Sequence, residues 1–240
     1  MDQPPTNPKS ETDAVRERYA RREVPAGRYS LLDPAALRER QARQRALARM
    51  LVVQGHGNVE ALLLTEVGCG HGGNLLELLQ MGFAPEHLQG IELLPERLAA
   101  ARHMLPEAAT LWLGDACEAP VPPRSRQLVL AATVFSSLLD DAFQQRLADA
   151  MWQWLVPGGA VIWYDFSVDN PRNRDVRGVP LARVRELFPQ ARISASRLTL
   201  APPLARAVCR LHPALYGVFN ALPVLRTHLL AWIAKPDEPE

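Results

Sequence analysis

Residues 62–74 read Leu-Leu-Leu-Thr-Glu-Val-Gly-Cys-Gly-His-Gly-Gly-Asn, and no other stretch restricts the fold as strongly. A short apolar run ends in an acid, Glu66. Glycines then alternate at Gly68, Gly70 and Gly72, and a helical apolar pattern runs from Leu75 to Leu79. The pattern is a strand, a tight turn and a helix N-terminus. Closely spaced glycines cost backbone entropy and are kept where a ligand must approach bare backbone. The first N–H groups of the following helix point into the same space. The stretch therefore predicts a ligand-holding turn in an α/β protein.

The chain beyond the turn alternates. A helix is expected over about residues 74–80, ended by Gly82. Gln89–Glu92 is a short strand closing on an acid, and Pro95 opens a helix at its first position that runs to about Leu105. Thr110–Leu113 is a third strand, followed at once by Gly114-Asp115-Ala116. Leu128–Phe135 is a continuous apolar run, as in a parallel strand buried on both faces. Asp140 or Asp141 caps a helix reaching Leu155, Pro157-Gly158-Gly159 turns the chain, and Ala160–Phe166 is the next strand. Short connections between alternating strands and helices predict a doubly wound, mostly parallel sheet. The end of the chain departs from this alternation. A helix over 180–188 and a strand over 193–200 precede a last, antiparallel strand over 225–233. Between these two strands, 202–223 reads as a helical insertion of two short helices broken at Pro213.

The N-terminal quarter has a different composition. Residues 1–13 are polar and proline-rich, and disorder is expected there. Residues 14–58 are crowded with arginine and form a helical cover ahead of the main domain, 59–240. Asp33-Pro34 is an N-cap and first helical position for a helix to about Val53. Tyr19, Arg22 and Tyr29 are expected to fold over the pocket.

Two ligands suit the glycine turn. Gly68, Gly70 and Gly73 fit the dinucleotide pattern G-x-G-x-x-G, and Glu92 lies about twenty residues on, where a ribose-binding acid belongs. That reading gives an NAD(P)-dependent oxidoreductase, although the chain has no Tyr-x-x-x-Lys pair. The run Glu66-Val67-Gly68-Cys69-Gly70-His71-Gly72 also reads acid-x-Gly-x-Gly-x-Gly. It closely resembles motif I of the class I S-adenosylmethionine-dependent methyltransferases, bacterial small-molecule type. The series of strand ends favours this second reading, because it resembles the family's motifs across about residues 60–166.

The resemblance implies a seven-stranded Rossmann-like sheet and S-adenosylmethionine as cofactor. It places Glu66 near the methionyl amino group and lets Gly68, Gly70 and Gly72 admit the amino-acid part. Glu92 would accept from both ribose hydroxyls, a task suited to an acceptor-only carboxylate. Asp115 would take the adenine amino group, the Ala116 N–H a ring nitrogen, and Thr133 would stand near the sulfonium. Two positions depart from the family. Arg126-Gln127 replaces an acid common before the fourth strand, and His71 replaces a small residue. A family fold kept as a non-catalytic binding protein is a further alternative.

The acceptor is read from the remaining polar residues. Asp165 is the first candidate for a general base, with Asp140, His71 and His228 behind it. Asn170, Asn173, Arg174 and Arg177 form a loop dense in donors that suits hydroxyls, carboxylates or phosphates. A small-molecule, glycan or lipid-linked acceptor and O-methylation are expected, with peripheral membrane contact by the helices of 202–223. A net charge of +1 gives no electrostatic case for nucleic acid. Cys69, Cys117 and Cys209 make neither a disulfide framework nor a metal clip, so no metal and a reducing cytoplasm are expected. No run reaches the roughly 18 apolar residues of a spanning helix.

Overall fold

The computed structural model describes residues 10–22, 30–171 and 173–237. Seven strands form one sheet in the order β3-β2-β1-β4-β5-β7-β6. They are β1 (Leu64–Val67), β2 (Leu88–Glu92), β3 (Thr110–Leu113), β4 (Arg126–Ala132), β5 (Leu155–Phe166), β6 (Arg192–Leu200) and β7 (Arg226–Ala234). Strands β1 to β5 pair in parallel. Strand β7 runs antiparallel to both β5 and β6, so it is the one reversed strand, and β6 points the same way as β1 to β5.

Alternation along the strands fills two cores. One face carries Val67, Ile91, Val129, Val161 and Trp163 against α5 (Asp141–Trp154) and α6 (Leu181–Leu187). The other carries Leu64, Leu128, Leu130 and Ile162 against α3 (Gly73–Gln80), α4 (Pro95–Met104) and α2 (Pro34–Val53). Both faces of the central strands are covered, which is why β4 reads as an unbroken apolar run from Leu128. A third cluster joins the start of α2 to α7 (Pro202–Leu211) and α8 (Leu215–Asn220).

The structure corrects three expectations. Residues 10–13, assigned to a disordered tail, instead form the cap and first turn of α1 (Glu11–Ala20); residues 1–9 lie outside the described residues. The Ser10 hydroxyl accepts the Asp13 N–H at 3.2 Å and donates to the Asp13 carboxylate at 2.7 Å, a reciprocal cap. Val15 then drops into the first core. The cover over 14–58 divides, since only α1 lies over the crevice while α2 packs on the opposite face of the sheet. Finally, Pro157-Gly158-Gly159 is not a turn but part of β5. The register shift between Arg126 and Leu128 absorbs it, and a Cβ on Gly159 would stand 2.9 Å from the Gln127 carbonyl.

Arg126 and Gln127 have their own uses. The Arg126 guanidinium donates to Thr65 Oγ1 at 2.8 Å and Gln89 Oε1 at 2.9 Å, and Gln127 Oε1 accepts the Leu63 N–H at 2.9 Å. They tie β1, β2 and β4 together at the edge away from the crevice, so the missing acid is replaced by a neutral and cationic set.

Candidate active site

The carboxyl ends of β1 to β4 open on one cavity of about 130 Å3, lined by Gly68, Glu92, Asp115, Ala116 and Thr133, with Thr12, Val15 and Tyr19 of α1 forming its outer wall. Such a crevice at strand carboxyl ends is where open α/β sheets bind ligands.

The glycine turn is held by the acid of the next strand. One Glu92 oxygen accepts the Gly70 N–H at 2.8 Å and the other accepts the Leu94 N–H at 2.9 Å. Each oxygen keeps a further lone pair, so the carboxylate can still accept from a diol. Gly68 sits at φ 64°, and a Cβ there would lie 2.8 Å from Val134 Cγ2. Gly70, at φ 57°, has nothing within 4 Å of its would-be Cβ. We therefore expect the two to fail differently on change to alanine. Gly68→Ala should cost about 2–3 kcal/mol of stability, combining left-handed strain and overpacking. Gly70→Ala should cost about 1 kcal/mol of stability and act mainly on ligand affinity. Thermal melts and ligand titrations of the two variants check this.

Glu66 is fully buried on the side of the sheet that faces α2. One oxygen accepts from Asn74 Nδ2 at 2.6 Å, while Oε2 has no partner. Burial pushes its carboxyl up to about 8, against the Asn74 hydrogen bond and the Arg43 charge. Near neutral pH the group is therefore mostly a carboxylic acid with one unspent oxygen, and it does not line the cavity.

Asp115 caps the short turn after β3 by accepting the Cys117 N–H at 2.9 Å. Thr133 adopts φ 56°, and its N–H donates to the Tyr164 carbonyl at 2.7 Å. Helix α1 is fastened over this crevice by polar contacts. Glu11 accepts the Leu139 N–H at 2.7 Å, Arg18 donates to the Ser137 carbonyl at 3.0 Å, and the Tyr19 hydroxyl meets Ser137 Oγ at 3.3 Å. Arg97, another wall residue, lies over the Tyr19 ring at 4.3 Å, and Arg22 lies 5.8 Å from the same ring. Tyr29 lies outside the described residues.

The candidates for the acceptor side are not brought to the crevice. Asp165 is 1% exposed, and its oxygens accept the N–H groups of Ser136, at 3.0 Å, and Phe166, at 2.8 Å. Burial still raises its carboxyl to about 6. It shares the inward face of β5 with Trp163 and tethers the turn after β4, so it has no opening toward an acceptor. Asp140 caps α5 through the Phe143 N–H at 2.9 Å. His228 is stacked on Tyr164 at 4.8 Å, and burial lowers it to about 3, so it stays neutral. His71 is exposed.

The loop residues spend their donors locally. The Asn173 N–H donates to the Asn170 carbonyl, and its side chain accepts the Asp175 N–H, both at 3.0 Å. Arg177 pairs with Asp141, while its N–H donates to the Ser136 carbonyl at 2.8 Å; Arg174 is exposed. None of Asn170, Asn173, Arg174 and Arg177 lines the cavity. Conversely, Thr12, Val15 and Arg97 line it and were not legible as site residues, although the Ser10-x-x-Asp13 cap could have located α1.

Residues 64–159 match a family model described as a methyltransferase domain. Over these residues the chain is similar to methyltransferase domains. Solved methyltransferases share its fold. An S-adenosylmethionine-dependent methyltransferase from Mesorhizobium loti is 16% identical, with a TM-score of 0.57 over 80% of this chain and 100% of that one. One from Archaeoglobus fulgidus is 12% identical, TM-score 0.57, over 83% and 98%. Geranyl diphosphate C-methyltransferase from Streptomyces coelicolor, solved with S-adenosyl-L-homocysteine, is 14% identical, TM-score 0.57, over 79% and 74%. No curated protein matches the sequence. The residues present suit S-adenosylmethionine, which the names of the first two of those structures carry. The site has an unpartnered buried oxygen on Glu66, bare backbone at Gly70, and acceptor carboxylates at Glu92 and Asp115. Among the described residues, no group of His, Cys, Asp and Glu is placed to hold a metal ion.

Proposed function

We propose that the protein methylates an oxygen of a small-molecule, glycan or lipid-linked acceptor. The observation that carries the acceptor reading is the sealing of Asp165. With Glu92 and Asp115 turned to the cofactor, no base among the described residues stands ready to deprotonate an alcohol. An acceptor whose oxygen is already acidic, such as a carboxylate or a phenol, needs no such base.

The cofactor, when bound, supplies a methyl group on a sulfonium, and the chain supplies position. Glu66 would hold the amino group, Glu92 the ribose diol, and Asp115 with the Ala116 N–H the adenine edge. Thr133, fixed in a left-handed conformation by its own N–H bond to β5, would set the floor beside the reacting carbon. Helix α1 excludes water from the outer side through Val15 and Tyr19.

Asp165→Asn separates this reading from one with an internal base. Turnover is expected to stay within about threefold of the parent, whereas loss of a general base would cost about 10²–10⁴-fold. Incubation with isotopically labelled cofactor and a panel of carboxylates, phenols, sugars and lipid-linked glycans, read by mass spectrometry, tests the acceptor class. Transfer only to nitrogen or carbon would overturn it, and a thermal response to NAD without one to S-adenosylmethionine would overturn the cofactor assignment.

A further inference from the structure

We propose that the face formed by α7, α8 and the start of α2 docks on an anionic phospholipid bilayer. The inference is independent of the methyl-transfer reading, and its test uses no cofactor. Large apolar side chains stand in solvent on this face: Leu32 is 94% exposed, Leu211 80%, Val224 78% and Val218 65%. Leu222 and Leu31 add to them. The α2 end meets the α7–α8 connection, because Leu31, Leu32 and Leu37 share a groove with Pro213, which joins α7 to α8. Single exposed leucines are ordinary, but a cluster of this kind marks an interaction surface.

Charge selects the partner. No Asp or Glu occurs between Glu186 and Asp237, a span that includes Arg197, Arg206, Arg210 and Arg226. Arg210 is exposed on α7, and Arg38 lines the groove. Among the described residues, the acids beside the patch are Asp33, the N-cap of α2, and Glu39 within it. Asp33 is engaged in capping, accepting the N–H groups of Ala35 and Ala36 at 2.9 Å. Glu39 is part-buried toward Arg206, and burial raises it to about 7. An apolar face with a basic rim and little acid suits lipid phosphates and the upper acyl chains together. Among the described residues no helix is long and apolar enough to cross a membrane, so the contact is peripheral.

The topology gives the docking a direction. Because β6 runs with β1 to β5, its last residue, Leu200, lies at the carboxyl edge of the sheet, paired with Arg226. The α7–α8 connection therefore leaves the sheet on the edge that holds the crevice. Docking there turns the active-site edge toward the bilayer.

The full-length protein is floated with vesicles of phosphatidylcholine alone and of phosphatidylcholine with a quarter phosphatidylglycerol. It should float with the anionic vesicles only, and high salt should release it. The L211S/V218S/V224S variant should lose at least about tenfold in partition, and R38A and R210A about fivefold each, with unchanged melting temperatures. The arginine variants keep the test decisive if the triple variant fails to fold. Equal flotation with neutral vesicles, or full flotation by the variants, would overturn the proposal. So would absence of flotation, including the case where light scattering shows a second copy of the chain covering the face.

Discussion

Glu92→Ala is expected to weaken S-adenosylmethionine binding by about 10²–10³-fold, or about 3–4 kcal/mol. The loss is large because the carboxylate acts twice. It accepts the Gly70 and Leu94 N–H groups and so fixes the glycine turn against the end of β2. It also keeps lone pairs for the ribose hydroxyls. Alanine removes both functions and leaves two N–H donors without their charged partner. Glu92→Gln retains one oxygen and should fall between the parent and Glu92→Ala. Isothermal titration of the folded variants measures the effect; unchanged affinity in Glu92→Ala would remove Glu92 from the site.

Glu66 should make cofactor binding release a proton. In the free protein, burial holds the carboxyl at about 8 rather than 4.5, so near neutral pH it is mostly protonated. A cationic amino group beside Oε2 favours the ionised form, and up to one proton leaves on binding. Affinity should then rise with pH, by at most about tenfold per unit, and level off above about 8. The stability of the free fold runs the other way. A raised carboxyl pKa means the folded state holds the extra proton, so stability is full below about 4.5 and is lost as pH climbs toward 8. Glu66→Gln should abolish the proton release and weaken binding about 10–100-fold at pH near 8. The same variant should melt higher than the parent at that pH, since no charge is buried. Calorimetry in buffers of different ionisation heat, with melts across the same range, gives both readings. Proton uptake, or a pH-independent affinity in the parent, would contradict the assigned role.

The features that could be read from the sequence are local ones. Gly68, Gly70 and Gly72 mark the turn because only a few residues decide it, and Leu128–Ala132 announces a central strand by being apolar on both faces. Glu92 and Asp115 could be picked out because one ends β2 and the other follows β3, and the carboxyl ends of a parallel sheet share one edge; both line the cavity, whereas Glu66, inside β1, does not. Asp165 misled because its partner, the Ser136 N–H, is twenty-nine residues away. Strand alternation does place it on the same face as Trp163, packed by α5 and α6. Arg177 misled in the same way, since the acid that takes its charge is on α5. Helix α1 was hidden by the proline-rich residues before it, although its cap needs only Ser10 and Asp13.

The reversed strand has a consequence for how the molecule is made. Strand β7 is synthesised after the other six strands, yet it occupies an interior place between β5 and β6. Until residues 226–234 emerge, β5 has an open edge and β6 has no neighbour in the sheet. The ribosome thus releases a domain whose cofactor half, β1 to β4, can form early, while the α7–α8 face is anchored only when the final strand slides home. Truncation within residues 226–234 should therefore expose a sheet edge prone to pairing with other chains.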